Sequence, residues 1–471
     1  MFLSLRAPWR LLHAIFLTIA LVKAQQPSEE DFSPEDVITR DVCILGGGAT
    51  GTYAAIRLKD MNKSIAVVER NDRLGGHTET LYVENGDHVD YGVQGVFNYD
   101  ISKNFFNRLG VQWKPVTPGS LINKYVNFKT GHEVPPPSPA AVDTVAALLV
   151  YRTAILKFDY LKDGIYNLPD PVPEELLWPF SKFVEKYKFE AALRVIYTFA
   201  NALGDMLASP TLYVIQVFGI SHIDIFLQGG YITPNNGMSE LYRKASEVLD
   251  TDVLYSAKAT KTIRSDTEIK ILTQDTSGKK KLIKANKLLI TFPPIPENLN
   301  GFDLSPEEIS LSTKLLWKTY YVAVLKNTGI PNDINVQNVD PDQKPGNLPL
   351  APFQWALQDM GPNNYLASKI IGDMNFTDMQ ARDLIVADLH RMGTAGTFDI
   401  RKDWEIAAFG NHNPTSLMVG VEDIRDGFYR RVYDLQGRRG TFWTGLTLVS
   451  DYSALLWQYT ESVVGEMVKG D

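Results

Sequence analysis

Only one cysteine, Cys43, occurs in 471 residues, which excludes an internal disulfide framework. It sits in the apolar run Val42-Cys43-Ile44-Leu45 and reads as a small buried hydrophobe rather than a nucleophile. Histidine is nearly as scarce. The seven histidines are scattered, none is paired with another on one helix face, and no Cys/His set has metal-ligand spacing, so no metal site is expected. Positive charge is also short: 47 Lys and Arg face 55 Asp and Glu, a formal charge of −8. That balance argues against a nucleic-acid partner, because holding a phosphate backbone relies on basic side chains. Beyond the N-terminus no uninterrupted apolar run reaches the roughly 18 residues of a membrane helix, so no membrane span is expected in the mature chain. A P-loop, a Ser-His-Asp grouping and an internal repeat are missing too.

What is present suits a globular enzyme. Hydrophobic residues make up 44% and charged residues 22%, and the length suits two or three domains at roughly 150 residues each. Residues 1–24 have the three parts of a secretory signal, either cleaved or kept as an N-terminal anchor: Arg6 and Arg10, an apolar stretch from Leu11 to Val22, and Val22-Lys23-Ala24 before Gln25. The expected location is therefore the secretory-pathway lumen or the outside of the cell. Asn62-Lys63-Ser64 and Asn375-Phe376-Thr377 are then expected to accept glycans.

From Asp41 the pattern changes abruptly. A short apolar strand runs into Gly46-Gly47-Gly48-Ala49-Thr50-Gly51, then a helical pattern, then a second strand from Ser64 to Val68 ending at Glu69. This β-α-β unit carries a dinucleotide fingerprint in its full context. Gly46 suits the tight turn, Gly48 backbone approach to a pyrophosphate, and Gly51 close helix–strand packing. The helix N-terminus, at Ala49 and Thr50, offers free N–H groups to phosphate, and Glu69 is placed to accept a ribose hydroxyl.

Further along, helices are expected over Ala140–Leu161, Ser181–Leu207, Met238–Leu249 and Tyr452–Val468. Strands are expected at Val253–Tyr255, at Glu268–Gln274 and Lys281–Lys284 around a Ser277-Gly278 turn, at Leu288–Phe292 and at Thr441–Trp443. Nucleotide-binding strands thus occur at both ends and in the middle. The expected architecture is α/β: a discontinuous Rossmann-like dinucleotide-binding domain (38–98, 237–300, 425–471) with an inserted α+β substrate domain (99–236, 301–424).

The stretch after Glu69 distinguishes the dinucleotide. Arg70-Asn71-Asp72-Arg73-Leu74-Gly75-Gly76-His77-Thr78 resembles the flavin amine oxidase and phytoene desaturase superfamily, in which the glycine pair lies beside the FAD diphosphate and ribityl chain. Asp87–Gly95, Pro234–Met238 and Thr441–Gly445 are similar to its other flavin segments. Gly427-Phe428-Tyr429, Leu435-Gln436-Gly437 and the run from Tyr452 to Glu461 resemble the fungal β-cyclopiazonate dehydrogenase family within that superfamily.

The resemblance implies FAD as cofactor. It implies contacts from Gly46, Gly48, Ala49, Thr50, Gly51, Glu69, Arg70, Gly75, Gly76, His77, Thr260 (the adenine-contacting strand) and Gly445. Two departures stand out. His77 replaces the usual Arg, and Leu446 replaces an acid that holds the ribityl chain in many amine oxidases, so an ordinary monoamine or polyamine oxidase is disfavoured. His77 suits either a neutral ring hydrogen-bonding the cofactor or a covalent attachment point.

The implied activity is dehydrogenation of a small-molecule substrate, a nitrogen-containing specialised metabolite, with hydride passing to flavin N5. A peroxide-producing amine or amino-acid oxidase and a non-catalytic flavin carrier are the competing readings. Candidate catalytic residues are His412, in a His-x-Pro segment, and Gln94, beyond the Asp-x-Gly segment. Tyr231 and Trp355 are candidates for an aromatic wall.

Overall fold

The first strand, Val37–Leu45, becomes fully buried over its last four residues, where it enters the centre of a seven-stranded sheet. A computed structural model describes residues 29–116, 121–137, 139–361 and 364–469. The signal reading at 1–24 lies outside the described residues.

In this sheet Val37–Leu45 pairs in parallel with Ile65–Val68 on one side and with Lys280–Ile290 on the other. Val253–Leu254 extends it beyond Ile65–Val68. On its other edge the strand Lys280–Ile290 serves two further neighbours. Its first half pairs antiparallel with Ile269–Asp275, which in turn pairs with Ala257–Arg264. Its last three residues pair in parallel with Thr441–Trp443. The two strands expected at Lys281–Lys284 and Leu288–Phe292 are therefore one. Their patterns differ because the first half mixes exposed or half-buried lysines with buried Leu282, Ile283 and Ala285, whereas the last three residues are all buried. Helices Ala49–Asp60, Ser239–Leu249 and Ser453–Val468 supply side chains to one core with this sheet, and Trp457 is fully buried there.

A second seven-stranded sheet belongs to the inserted part. Its order is Glu405–Asn411, Leu316–Lys326, Leu366–Gly372, Phe353–Asp359, Ile334–Asn338 and Ile122–Val126, with Thr415–Met418 beside Leu316–Lys326. Helix Asp378–Thr394 packs on one face. Ala141–Ile155, Phe180–Tyr187, Leu193–Ala200, Thr211–Val217 and Ile220–Gln228 share a separate core with Phe353 and Trp355 of this sheet. The expected helix over Ser181–Leu207 is broken where Lys188 takes a left-handed conformation at φ 60°. The apolar stretch Thr211–Gln228 has a mean hydropathy of 1.3 over 18 residues. Its buried side chains join the large core that also takes in Leu45, Val68 and Ile290 of the first sheet.

Candidate active site

Two cavities meet between the sheets. The first, about 320 Å³, runs along the carboxyl ends of the parallel strands and is lined by Leu45, Gly46, Gly48, Glu69, Gly76 and Gly445 among others. This is the place where open parallel sheets bind nucleotides. The second, about 410 Å³, lies under the second sheet. His77, Val93, Leu446, Asp451 and Ser453 line both.

The floor of the first cavity follows from its glycines. A Cβ on Gly51 would lie 1.9 Å from the Gly46 carbonyl oxygen, so only glycine lets the helix start this close to the strand. A Cβ on Gly76 would lie 3.1 Å from the Gly48 Cα, across the narrow gap between the two glycine loops. The Gly75 N–H donates to the Gly47 carbonyl at 2.8 Å and ties those loops together. No side chain caps helix Ala49–Asp60; its first N–H groups, which have no intrahelical acceptor, remain available to phosphate.

Glu69 is 4% exposed. Its Oε2 accepts the Gly47 N–H at 2.6 Å and its Oε1 accepts the Asn71 N–H at 2.8 Å. Each oxygen keeps a lone pair for a ribose hydroxyl. The residues fit a flavin adenine dinucleotide: an anion-accepting helix start, a buried ribose acceptor and a long cleft between glycine loops.

Gly46, Gly48, Ala49, Thr50, Glu69, Arg70, Gly75, Gly76, His77 and Gly445 all line this cavity, while Gly51 acts from behind the turn. Thr260 requires a correction. A bulge between Ala259 and Lys261 takes it out of the lining, and its hydroxyl donates to the Leu272 carbonyl at 3.2 Å. Ala257, Lys258 and Ala259 line the cavity instead.

The segments Asp87–Gly95 and Pro234–Met238 are joined directly. The Asp90 carboxylate accepts the Met238 N–H at 3.0 and 3.2 Å and the Thr80 hydroxyl at 2.5 Å. Burial raises the Asp90 pKa, opposed by these hydrogen bonds.

At the junction of the cavities the rings of His77 and His412 stack, with centroids 4.5 Å apart and planes at 10°. Tyr320 continues the stack 6.0 Å beyond His412. His412 Nε2 lies 3.1 Å from Glu79 Oε2. Because a carboxylate only accepts, Nε2–H donates, and Nδ1 is the ring nitrogen left free of Glu79. Glu79 is itself held by Arg73 at 2.9 Å, whose guanidinium also donates to the Gly76 and Thr78 carbonyls at 3.1 and 2.9 Å.

His77 has its pKa held well below the usual value, first by burial and then by His412, Arg70 and Arg73. It is a neutral ring. A cation still supports this loop, but from Arg73 behind it.

Gln94 lines the second cavity, its amide donating to the Met360 sulfur at 3.7 Å. Tyr231 lines it too and is fixed by His222 at 2.5 Å. Trp355 does not; it is 5% exposed, packs against Tyr197 and lines a separate small cavity.

Two charged residues of the second cavity were not singled out from sequence. Asp451, six residues past Gly445, lines both cavities; burial raises its pKa and His412 opposes the rise. Lys369 comes from the middle of strand Leu366–Gly372. A carboxylate between the last glycine turn and the last helix was a visible signal for Asp451. Nothing in the local pattern marks Lys369.

A two-layered α/β chain with a dinucleotide cleft opening onto a second cavity defines a flavin-dependent oxidoreductase. Residues 44–109 match the NAD(P)-binding Rossmann-like domain. The chain is 41% identical to β-cyclopiazonate dehydrogenase of Aspergillus flavus over 432 residues, 92% of this chain and 94% of that one. It is 30% identical to FAD-dependent oxidoreductase pigF of Monascus ruber, over 96% and 97% of the two chains. A solved fatty acid isomerase from P. acnes superposes with a TM-score of 0.73 at 19% identity, covering 91% of this chain and 99% of that one, which shows the shared fold. The chain belongs to the β-cyclopiazonate dehydrogenase family of FAD-dependent oxidoreductases, and its cofactor is FAD.

Proposed function

We propose that this enzyme dehydrogenates a small nitrogen-containing specialised metabolite bound in the second cavity. The observation that carries the reading is the shared wall of His77, Val93, Leu446, Asp451 and Ser453. It brings a cofactor cleft and an aromatic-lined cavity to a common boundary. Bound FAD supplies the two-electron acceptor. Glycine loops, helix N-terminus and Glu69 hold the dinucleotide. Tyr166, Phe199, Tyr231 and Tyr452 line the cavity where a planar substrate sits, and exclude water. His412, oriented by Glu79 through Nε2, offers Nδ1 to a substrate proton, with Asp451 beside it.

The purified protein should show oxidised-flavin absorption bands, and acid precipitation should release them into the supernatant. Anaerobic addition of an oxidisable indole or amine metabolite should bleach them. A colourless protein that also fails to take up added FAD would contradict this reading. Retention of colour in the acid pellet would instead assign a covalent bond, with His77 as the first residue to replace.

The N-terminal pattern supports entry into the secretory pathway as part of this proposal. Asn62 and Asn375 are both exposed, as glycan acceptors must be.

A further inference from the structure

Lys369 lines the second cavity and not the first. It also lines a neighbouring cavity of about 80 Å³ together with Thr198, Gln337 and Trp355, and Thr198 borders both spaces. These contacts place the lysine at the end of the substrate cavity away from the dinucleotide cleft.

Strand register fixes where it points. Val322 stands opposite Lys369 on one side and Gly410 on the other. Directly opposed residues share a face of a sheet, so Lys369 and Gly410 look the same way. That way is toward the glycine-loop layer: a Cβ on Gly410 would lie 1.8 Å from Glu79 Oε2. Tyr320, two residues before Val322, projects from the same face and stacks on His412.

No hydrogen bond or ion pair reaches the Lys369 ammonium among the described residues, in contrast to the surface lysines paired with acids such as Asp373 and Glu405. Burial alone lowers its pKa, with no carboxylate near enough to oppose the shift. An unpaired cation in a cavity walled in part by Tyr166, Phe199, Tyr231 and Tyr452 is costly unless a partner arrives with the ligand. Asp451, the other charged residue of this cavity, stands at the opposite end, on the boundary with the cofactor cleft.

We infer that Lys369 is the specificity-determining residue of this enzyme: it receives an anionic oxygen group of the substrate, of the carboxylate type, and so selects planar acids over their neutral counterparts. Bound at that end, the acid group anchors the molecule. The carbon to be oxidised then lies toward His412 and Asp451. This inference rests on the second cavity being the substrate site, as proposed above.

The test uses FAD-loaded enzyme and two matched pairs of probes, indole-3-acetate with indole-3-acetamide and 2-naphthoate with 2-naphthamide. Binding is followed by calorimetry on wild type, Lys369→Met and Lys369→Arg. The expected result is that each acid binds wild type at least about tenfold more tightly than its amide, the worth of one charge-assisted hydrogen bond. Lys369→Met should erase that preference without weakening amide binding, and Lys369→Arg should keep most of it.

Equal binding of acid and amide, no measurable binding of either acid, or an acid preference that survives in Lys369→Met would each overturn the inference. Flavin absorption and thermal midpoint of the same samples separate the causes. Protein without FAD defeats the function proposed above, whereas folded, FAD-loaded protein without acid preference defeats only the role of Lys369.

Discussion

His412 works through its neighbours. Glu79 fixes the ring through Nε2, Arg73 fixes Glu79, and His77 and Tyr320 hold the ring plane. His412→Ala should therefore leave flavin absorption unchanged and lower kcat by about 10²–10⁴-fold, the usual worth of a positioned proton acceptor. Equal turnover of the variant on a substrate that bleaches the flavin would remove His412 from the chemistry. Asp451 gives the same site a pH dependence. Its proton is held more tightly because of burial, so as pH falls through that raised pKa the carboxylate is lost. The kcat/KM profile should show an acid limb that Asp451→Asn abolishes, measured with anaerobic flavin reduction rates.

Helix Asp378–Thr394 carries a buried acid of a different kind. Asp388 is 2% exposed; Arg391 bonds one of its oxygens and the other has no partner. Burial outweighs the arginine and pushes its pKa up to about 7. A carboxyl that holds its proton more tightly when folded favours the fold below its unfolded pKa of about 3.9. That contribution is lost as pH rises through about 7. Asp388→Asn should thus raise the thermal midpoint by several degrees at pH about 8 and change it little at pH about 4. Scans of wild type and variant at both pH values check this; a variant less stable at the higher pH would show that the pairing with Arg391 dominates. At this scale the sequence was a good guide to helices with one apolar stripe and clear ends, such as Ser239–Leu249. It was a poor guide to Ser181–Leu207, where buried aromatics continue across a left-handed break at Lys188 that hydrophobic pattern does not register.

The FAD cavity takes its walls from residues 45–93, 257–300 and 413–456, so cofactor binding joins distant parts of one chain. Removing FAD should lower the thermal midpoint, and adding it back at about a hundredfold its Kd should restore about 2.7 kcal/mol. A midpoint indifferent to FAD would mean that the cleft is formed without it and does not grip it. Processing is also tested at this scale. Protein purified from a eukaryotic secretion host should begin at Gln25 and lose mass on treatment with an amidase that removes N-glycans. An intact Met1 in a protein retained in the cytosol would set aside the secretory proposal.

The glycine loop, Glu69 and the Gly75-Gly76 pair were legible because a dinucleotide site is built largely from residues close together in the chain, with backbone constraints that only certain residue types meet. The pairing of Leu288–Ile290 with Thr441–Trp443 was legible only as two isolated strands, since register between distant segments leaves little local trace. Thr260 was misplaced because a one-residue bulge moves a side chain to another face of the strand without changing the pattern around it. The substrate cavity lay furthest from reach. His412, Asp451 and Lys369 come from separate parts of the chain, and Lys369 sits in an ordinary strand. Only the folding of the second sheet over the glycine loops decides that its side chain lines a cavity shared with His412 and Asp451.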